Sequence, residues 1–347
     1  MRHLTFGTLA LAWCWVSVAC AQAPPGAPDP ALERYAKPDV LAPVGDGRKI
    51  HIICMGHGTP TVVLTAGLGD WSGTWRKVQK PLAQRRRVCA WDRAGAGFSS
   101  PSPEPQDILH TTRDLEKALK SAQISGPYVL VGHSLGGYES LLFADRHPHS
   151  VVGMVLVDPS IPDQQRILAQ GGTEVSGLER DHRAFQVAAM SRCAARARSG
   201  ALKLGSPDPD GCLAFPGDYP QSLKDALLPS RMAPESYETT ASLIENFDAD
   251  STQVMNAARN YGKMPLIVLT AGITVTIPSQ LHPSDAAQAA FTHYQAVDWP
   301  HAHDQLAKLS SRGRNQVVDG SNHPIHLVNP LAVVGAVEDV VAQIERR

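Results

Sequence analysis

The stretch Tyr128-Val129-Leu130-Val131-Gly132-His133-Ser134-Leu135-Gly136-Gly137 decides how this chain folds. Its first four residues form a short apolar run, the pattern of a strand buried on both faces. Leu135 to Arg146 then reads as a helix that stops before Pro148. Between the two elements stands Gly132-x-Ser134-x-Gly136. A turn that passes directly from strand to helix is sharp, so the residues two before and two after its apex must be small. Both are glycine, and Gly137 extends that allowance. Such a turn lifts the Ser134 hydroxyl to the carboxyl edge of a sheet, beside a helix N-terminus that favours negative charge.

Working outward from this turn, strand-like and helical runs alternate. Lys49 to Met55, Thr61 to Thr65, Arg87 to Trp91 and Val151 to Val157 read as strands. Gly45 to Gly47 reads as a turn, and residues 107 to 122 carry one apolar face at helical spacing. From residue 159 to 262 the chain is polar, broken by Gly and Pro, and amphipathic rather than strand-like. Pro265 to Thr270 resumes the sheet and a helical region runs to Ser310. Asn315 to Val318 reads as the last strand and Leu331 to Ile344 as a closing helix. The expectation is an α/β fold: a mainly parallel sheet with helices on both faces, formed by residues 39–158 and 263–347. A helical cap, residues 159–262, is inserted between two of its strands.

The 347 residues, 43% apolar and 19% charged, suffice for one large domain with an insertion. A formal net charge of -1 gives no global field toward nucleic acid or an anionic surface. No basic arm or aromatic-basic motif points to a nucleic-acid partner. Residues 1–21 read as a signal peptide: Arg2 and His3, an apolar run to Val18, then Ala19-Cys20-Ala21 before Gln22. The run is too short and interrupted for a membrane span. A lipid anchor on Cys20 ranks second, because Ser17 stands where such sites carry an aliphatic residue. Residues 22–38, with five prolines, read as an extended tether. Export, periplasmic or extracellular, leaves Cys54, Cys89, Cys193 and Cys212 in an oxidising compartment, where three pairings are open. Cys54–Cys89 and Cys193–Cys212 are the expected pairs, the first two lying in strands and the last two in the insertion. None has zinc spacing, and neither metal nor organic cofactor is implied.

A serine hydroxyl is a poor nucleophile until a base takes its proton. Gly320-Ser321-Asn322-His323-Pro324-Ile325-His326, after the last strand, offers two histidines. His323 is preferred because it follows the strand through a short loop, while His326 already runs toward the final helix. His301 and His303 read as solvated helix residues. Acyl transfer also needs preorganised N–H donors. The backbone of Leu135 is one, and Leu68, within Ala66-Gly67-Leu68-Gly69, is the expected second. Trp71 and Trp75 read as pocket residues, and Arg180, Arg183, Arg192, Arg196 and Arg198 as a solvated basic face rather than an anion site.

The ordered set Gly67-Leu68-Gly69, Asp92 to Ser99, Gly132 to Gly137 and the late His323 resembles the α/β-hydrolase superfamily over residues 45 to 345. The similarity is to its serine-dependent esterase-like and lipase-like members. It implies hydrolysis of a small-molecule ester, a structural role for Asp92 to Ser99, and neighbouring strands for Cys54 and Cys89. The family's usual acid follows the strand Pro265 to Thr270, but Ala271-Gly272-Ile273-Thr274-Val275-Thr276 holds no carboxylate. Some members place it after the preceding strand, where Asp158 stands. Asp158 is therefore the expected third catalytic residue, with Asp163, Asp285, Asp298 and Asp304 as alternatives.

Overall fold

The computed structural model describes residues 27–346. The signal peptide, Cys20 and the first half of the Pro-rich stretch lie outside the described residues. Apolar runs with β-branched residues become strands: β1 (Val40–Gly45), β2 (Arg48–Met55), β3 (Thr61–Thr65), β4 (Val88–Trp91), β5 (Tyr128–His133), β6 (Val151–Val157), β7 (Leu266–Ala271) and β8 (Gly313–Val318). They form one sheet in the order β1-β2-β4-β3-β5-β6-β7-β8. β2 runs antiparallel to both β1 and β4, and every other pair is parallel. β3, β4 and nearly all of β5 and β6 are buried, as central parallel strands covered on both faces must be.

The first three helices, α1 (Arg76–Leu82), α2 (Ile108–Ser121) and α3 (Gly136–Arg146), belong to the crossovers between these strands. Between β6 and β7 lie α4 (Gln164–Gln170), α5 (Thr173–Arg198), α6 (Gln221–Arg231), α7 (Pro234–Glu245) and α8 (Phe247–Gln253). α9 (Asp285–His293) and α10 (Trp299–Ala307) precede β8, and α11 (Ile325–Val328) and α12 (Pro330–Glu345) close the chain. One core cluster packs α2 and α3 against one face of the sheet, with Ile108, Leu115, Tyr138 and Leu141 fully or almost fully buried. A second cluster packs α1 and α12 against the other, through Val78, Leu82, Val337 and Val341. Among the described residues no helix is long and apolar enough to cross a membrane.

Disulfides join Cys54 to Cys89 and Cys193 to Cys212. The first links residues directly opposite in the β2–β4 ladder. The second fastens α5 to the loop before α6 inside a small apolar cluster of the insertion that includes Met190, Leu202, Tyr237 and Ile244.

The structure adds to the sequence reading in two places and corrects it in one. β1 was not foreseen, and it is an edge strand whose Pro43 and alternating exposure blur the pattern. The Pro-rich stretch is no extended tether over its second half. Pro30–Tyr35 is a 3-10 turn capped by Asp29, and it buries Leu32 and Tyr35 against the core. Tyr35 Oη donates to Gln79 Oε1 at 2.6 Å, so a side-chain hydrogen bond joins apolar burial in holding the turn. The helical region after β7 does not pack on the sheet alone. Ile277, Ala287 and Tyr294 share a cluster with Leu168 and Val175 of the insertion.

Candidate active site

β5 and β6 pair in parallel up to His133 opposite Val157, so the next residues, Ser134 and Asp158, leave neighbouring strands at the same edge. Both adopt the left-handed conformation, with φ of 52° and 41°. Such backbone is unfavourable for a non-glycine residue and persists only where the surroundings enforce it. The Ser134 N–H donates to Val157 O at 3.2 Å and the Ser160 N–H to Ser134 O at 2.9 Å, so hydrogen bonds hold the turn on both sides. The glycines are needed for contact rather than for φ. A Cβ on Gly132 would stand 2.2 Å from Gly136 O, and one on Gly136 would stand 2.5 Å from Thr65 O.

His323 Nδ1 lies 2.5 Å from Asp158 Oδ2. A carboxylate can only accept, so Nδ1 carries a proton. The other carboxylate oxygen accepts from the Ala271 N–H at 2.9 Å and from Trp299 Nε1 at 3.0 Å. Burial works against the Asp158 charge, but the His323 hydrogen bond and charge, His303 and the Ala271 N–H outweigh it. Its pKa therefore lies below the ordinary carboxylate value, and the group is ionised. Ser134 and His323 are nearly buried, at 6% and 9% exposure. Among the described residues, neither Ser134 Oγ nor His323 Nε2 has a hydrogen-bond partner.

The remaining acids lie elsewhere. Asp163 pairs with Arg166, Asp298 faces His293, Asp304 accepts from Asn315, and Asp285 opens α9. His303 is fully buried, contrary to its reading as a solvated residue. Its Nδ1 meets Thr270 Oγ1 at 2.7 Å and its Nε2 meets Pro159 O at 3.0 Å, which braces the two residues flanking Asp158 in space. Burial holds its pKa below the ordinary imidazole value. Trp299 and His303 carry no local motif, so sequence spacing gave no sign of them.

The loop after β3 approaches the turn closely. A Cβ on Gly67 would stand 2.8 Å from His133 Nδ1. Arg93 fixes this loop, donating to Ala66 O and Gly67 O at 2.6 and 2.7 Å while gripping Glu139 of α3 through two hydrogen bonds. Asp92, fully buried, accepts from the N–H groups of Ser72 and Phe98. The Leu68 and Leu135 N–H groups have no acceptor among the described residues.

A pocket opens between this loop and the insertion, lined by Gly69, Asp70 and Trp71 on one side and by Met190, Tyr237 and Leu243 on the other; it adjoins the loop that carries Leu68, but its lining does not include Ser134 or His323. Trp75 takes no part in it, being wholly buried against His326. Four of the five arginines expected as a basic face on α5 are in ion pairs. Arg183 pairs with Glu179 and Asp248, Arg192 with Asp210, Arg196 with Asp208, and Arg198 with Glu238.

Residues 60–330 match the family model described as alpha/beta hydrolase fold. A thermophilic esterase from Thermogutta terrifontis superposes with a TM-score of 0.54 at 19% identity, over 88% of this chain and 97% of that one. A candidate acyltransferase from Salmonella enterica superposes with a TM-score of 0.60 at 17% identity, over 88% and 94%. Among curated relatives, YqjL of Bacillus subtilis is 34% identical over 108 residues, 31% of this chain and 43% of that protein. The matched stretches span less than half the length of the first curated relatives. The match to the family model covers most of the chain, both flanks of the insertion included, and the sheet order, the turn at Ser134 and the solved neighbours agree with it. The chain belongs to the alpha/beta hydrolase fold family.

Proposed function

We propose that this protein is an exported serine hydrolase that cleaves carboxylic esters through an acyl-enzyme. One observation carries the reading: Asp158 holds His323 at 2.5 Å beside the turn that presents Ser134. In this reading Ser134 Oγ attacks the ester carbonyl while His323 Nε2 takes its proton. Asp158 fixes the imidazole tautomer and stabilises the imidazolium. The free N–H groups of Leu68 and Leu135 receive the oxyanion, each worth on the order of 3 kcal/mol of barrier. His323 then protonates the departing alcohol. Water, deprotonated by the same imidazole, attacks the acyl-enzyme and releases the acid and Ser134. The helices between β6 and β7 act as the cap that bounds the acyl pocket. Both disulfides support export, because such bonds persist in oxidising compartments.

The test is hydrolysis of nitrophenyl esters of increasing acyl length by the mature protein and its Ser134→Ala variant. The expected result is wild-type turnover that the variant loses, with a length profile set by the pocket. A folded wild type that cleaves no ester and takes no fluorophosphonate label would overturn the proposal.

A further inference from the structure

Beside His323, whose ring lies 4.5 Å from that of His133, stands a second group of polar side chains that ester cleavage does not use. His133 and His326 are 3% and 0% exposed, with ring centroids 4.4 Å apart. Asp70 completes the group, and one donor atom from each of the three lies within 4.8 Å of the others. His133 Nδ1 and both ring nitrogens of His326 are buried without a hydrogen-bond partner among the described residues. Orphaned buried polar atoms are costly and call for a partner.

The tautomer of His133 narrows what that partner is. His133 Nε2 lies 3.2 Å from the carbonyl oxygen of His323, which can only accept. Nε2 therefore carries the proton, and Nδ1 presents a lone pair on the side where Asp70 presents carboxylate oxygen. A positive species between them resolves this opposition. Room for it exists because residue 67 has no side chain. A Cβ there would stand 2.8 Å from His133 Nδ1 and 3.4 Å from Asp70 Oδ2, inside the space the two donors share. Arg93 does not supply the charge, because its guanidinium is engaged by Glu139 and by the carbonyls of Ala66 and Gly67.

We infer that Asp70, His133 and His326 form a binding site for a divalent first-row transition ion of the zinc class, distinct from the Ser134–His323–Asp158 set. Two neutral imidazoles and one carboxylate suit zinc or cobalt, whereas calcium and magnesium favour sites built of oxygen. The hydrogen bond from His133 Nε2 to His323 O orients the ligand ring, as carbonyl partners of metal-bound histidines do. Asp70 lies in the wall of the pocket and gives the ion a path from solvent. Donors within 4.8 Å need only small side-chain closure to bind at about 2.1 Å each.

The test is titration of untagged, chelator-treated protein with Co2+, followed by its visible absorption and by the metal content after gel filtration. The expected result is one ion per chain with a nitrogen–oxygen ligand-field spectrum. Affinity should fall at least tenfold in Asp70→Asn and in His326→Gln and stay unchanged in Ser134→Ala and His323→Ala. Asp70→Asn is nearly isosteric at the pocket wall, so it remains informative if His326→Gln does not fold. Absence of a spectrum in the wild type would overturn the site, as would full affinity in Asp70→Asn or a loss in Ser134→Ala or His323→Ala. These readouts need no substrate, so they stand or fall apart from the ester-hydrolase reading.

Discussion

Trp299 Nε1 donates to Asp158 Oδ1 at 3.0 Å, on the carboxylate oxygen that His323 leaves free. The indole thus belongs to the support of the Asp158–His323 pair although α10 is remote from it in sequence. Trp299→Phe keeps the ring's bulk and removes the donor. A hydrogen bond to a charged group is worth about 1.5–3 kcal/mol. The expected outcome is a kcat for nitrophenyl esters roughly tenfold lower with KM little changed, read from steady-state kinetics. An unchanged kcat would reduce Trp299 to packing.

Asp158→Asn separates the proposed acid from its alternatives. The amide cannot hold the imidazole in the same tautomer with the same charge, and kcat should fall about 10³–10⁴-fold. Asp163→Asn, which breaks only a surface pair with Arg166, should leave kcat within about twofold. Equal activity in Asp158→Asn and wild type would remove Asp158 from the mechanism.

The disulfide Cys193–Cys212 closes a loop with a sequence separation of 19. Closing a loop of that length stabilises by about 3 kcal/mol. Cys193→Ser with Cys212→Ser should lower the denaturant midpoint of the insertion before that of the sheet. Met190 and Tyr237, which share its cluster, also line the pocket, so KM should rise while the fold of the sheet persists. A single unshifted unfolding transition would contradict this.

Asp250 is buried in α8 and accepts from the Ile108 N–H at 2.9 Å, while its other oxygen has no partner among the described residues. Burial pushes its pKa up to about 7, assisted by Asp107 and Glu139 and opposed by the Ile108 N–H and Arg93. Below about pH 4 the group is protonated whether the chain is folded or not. Between about pH 4 and 7 the folded form holds the proton more tightly, so its contribution to stability falls as pH rises. Asp250→Asn should abolish that slope and gain on the order of 2 kcal/mol at pH 8 relative to wild type. Urea unfolding at pH 5 and pH 8 checks the sign; a variant that gains equally at both would refute it.

The central strands and the turn at Ser134 were legible because their causes are local. An apolar run must be buried, and only glycine fits where Gly132 and Gly136 meet backbone oxygen. Asp158 was legible only as one acid among several. Its selection depends on the pairing of His133 with Val157, which brings Ser134 and Asp158 side by side. What stayed hidden is non-local throughout. His303 and Trp299 gain their partners from β7, Pro159 and Asp158, and helical spacing cannot reveal an environment made by other elements. Leu32 and Tyr35, set among prolines, show no periodicity, yet α1 and the sheet give them a buried place.

The N-terminal turn also has a mechanical meaning. Arg76 on the core side donates to Asp29 at 2.7 Å and to Asp218 of the insertion at 2.6 Å, and Ser222 of α6 donates to Glu33. The turn therefore works as a hasp, with Arg76 as its pin. Any movement of the insertion relative to the sheet would either draw this pin or pivot about it at α6. A chain cut back beyond Asp29 would lose that pivot while keeping Ser134, His323, Asp158 and every residue that lines the pocket.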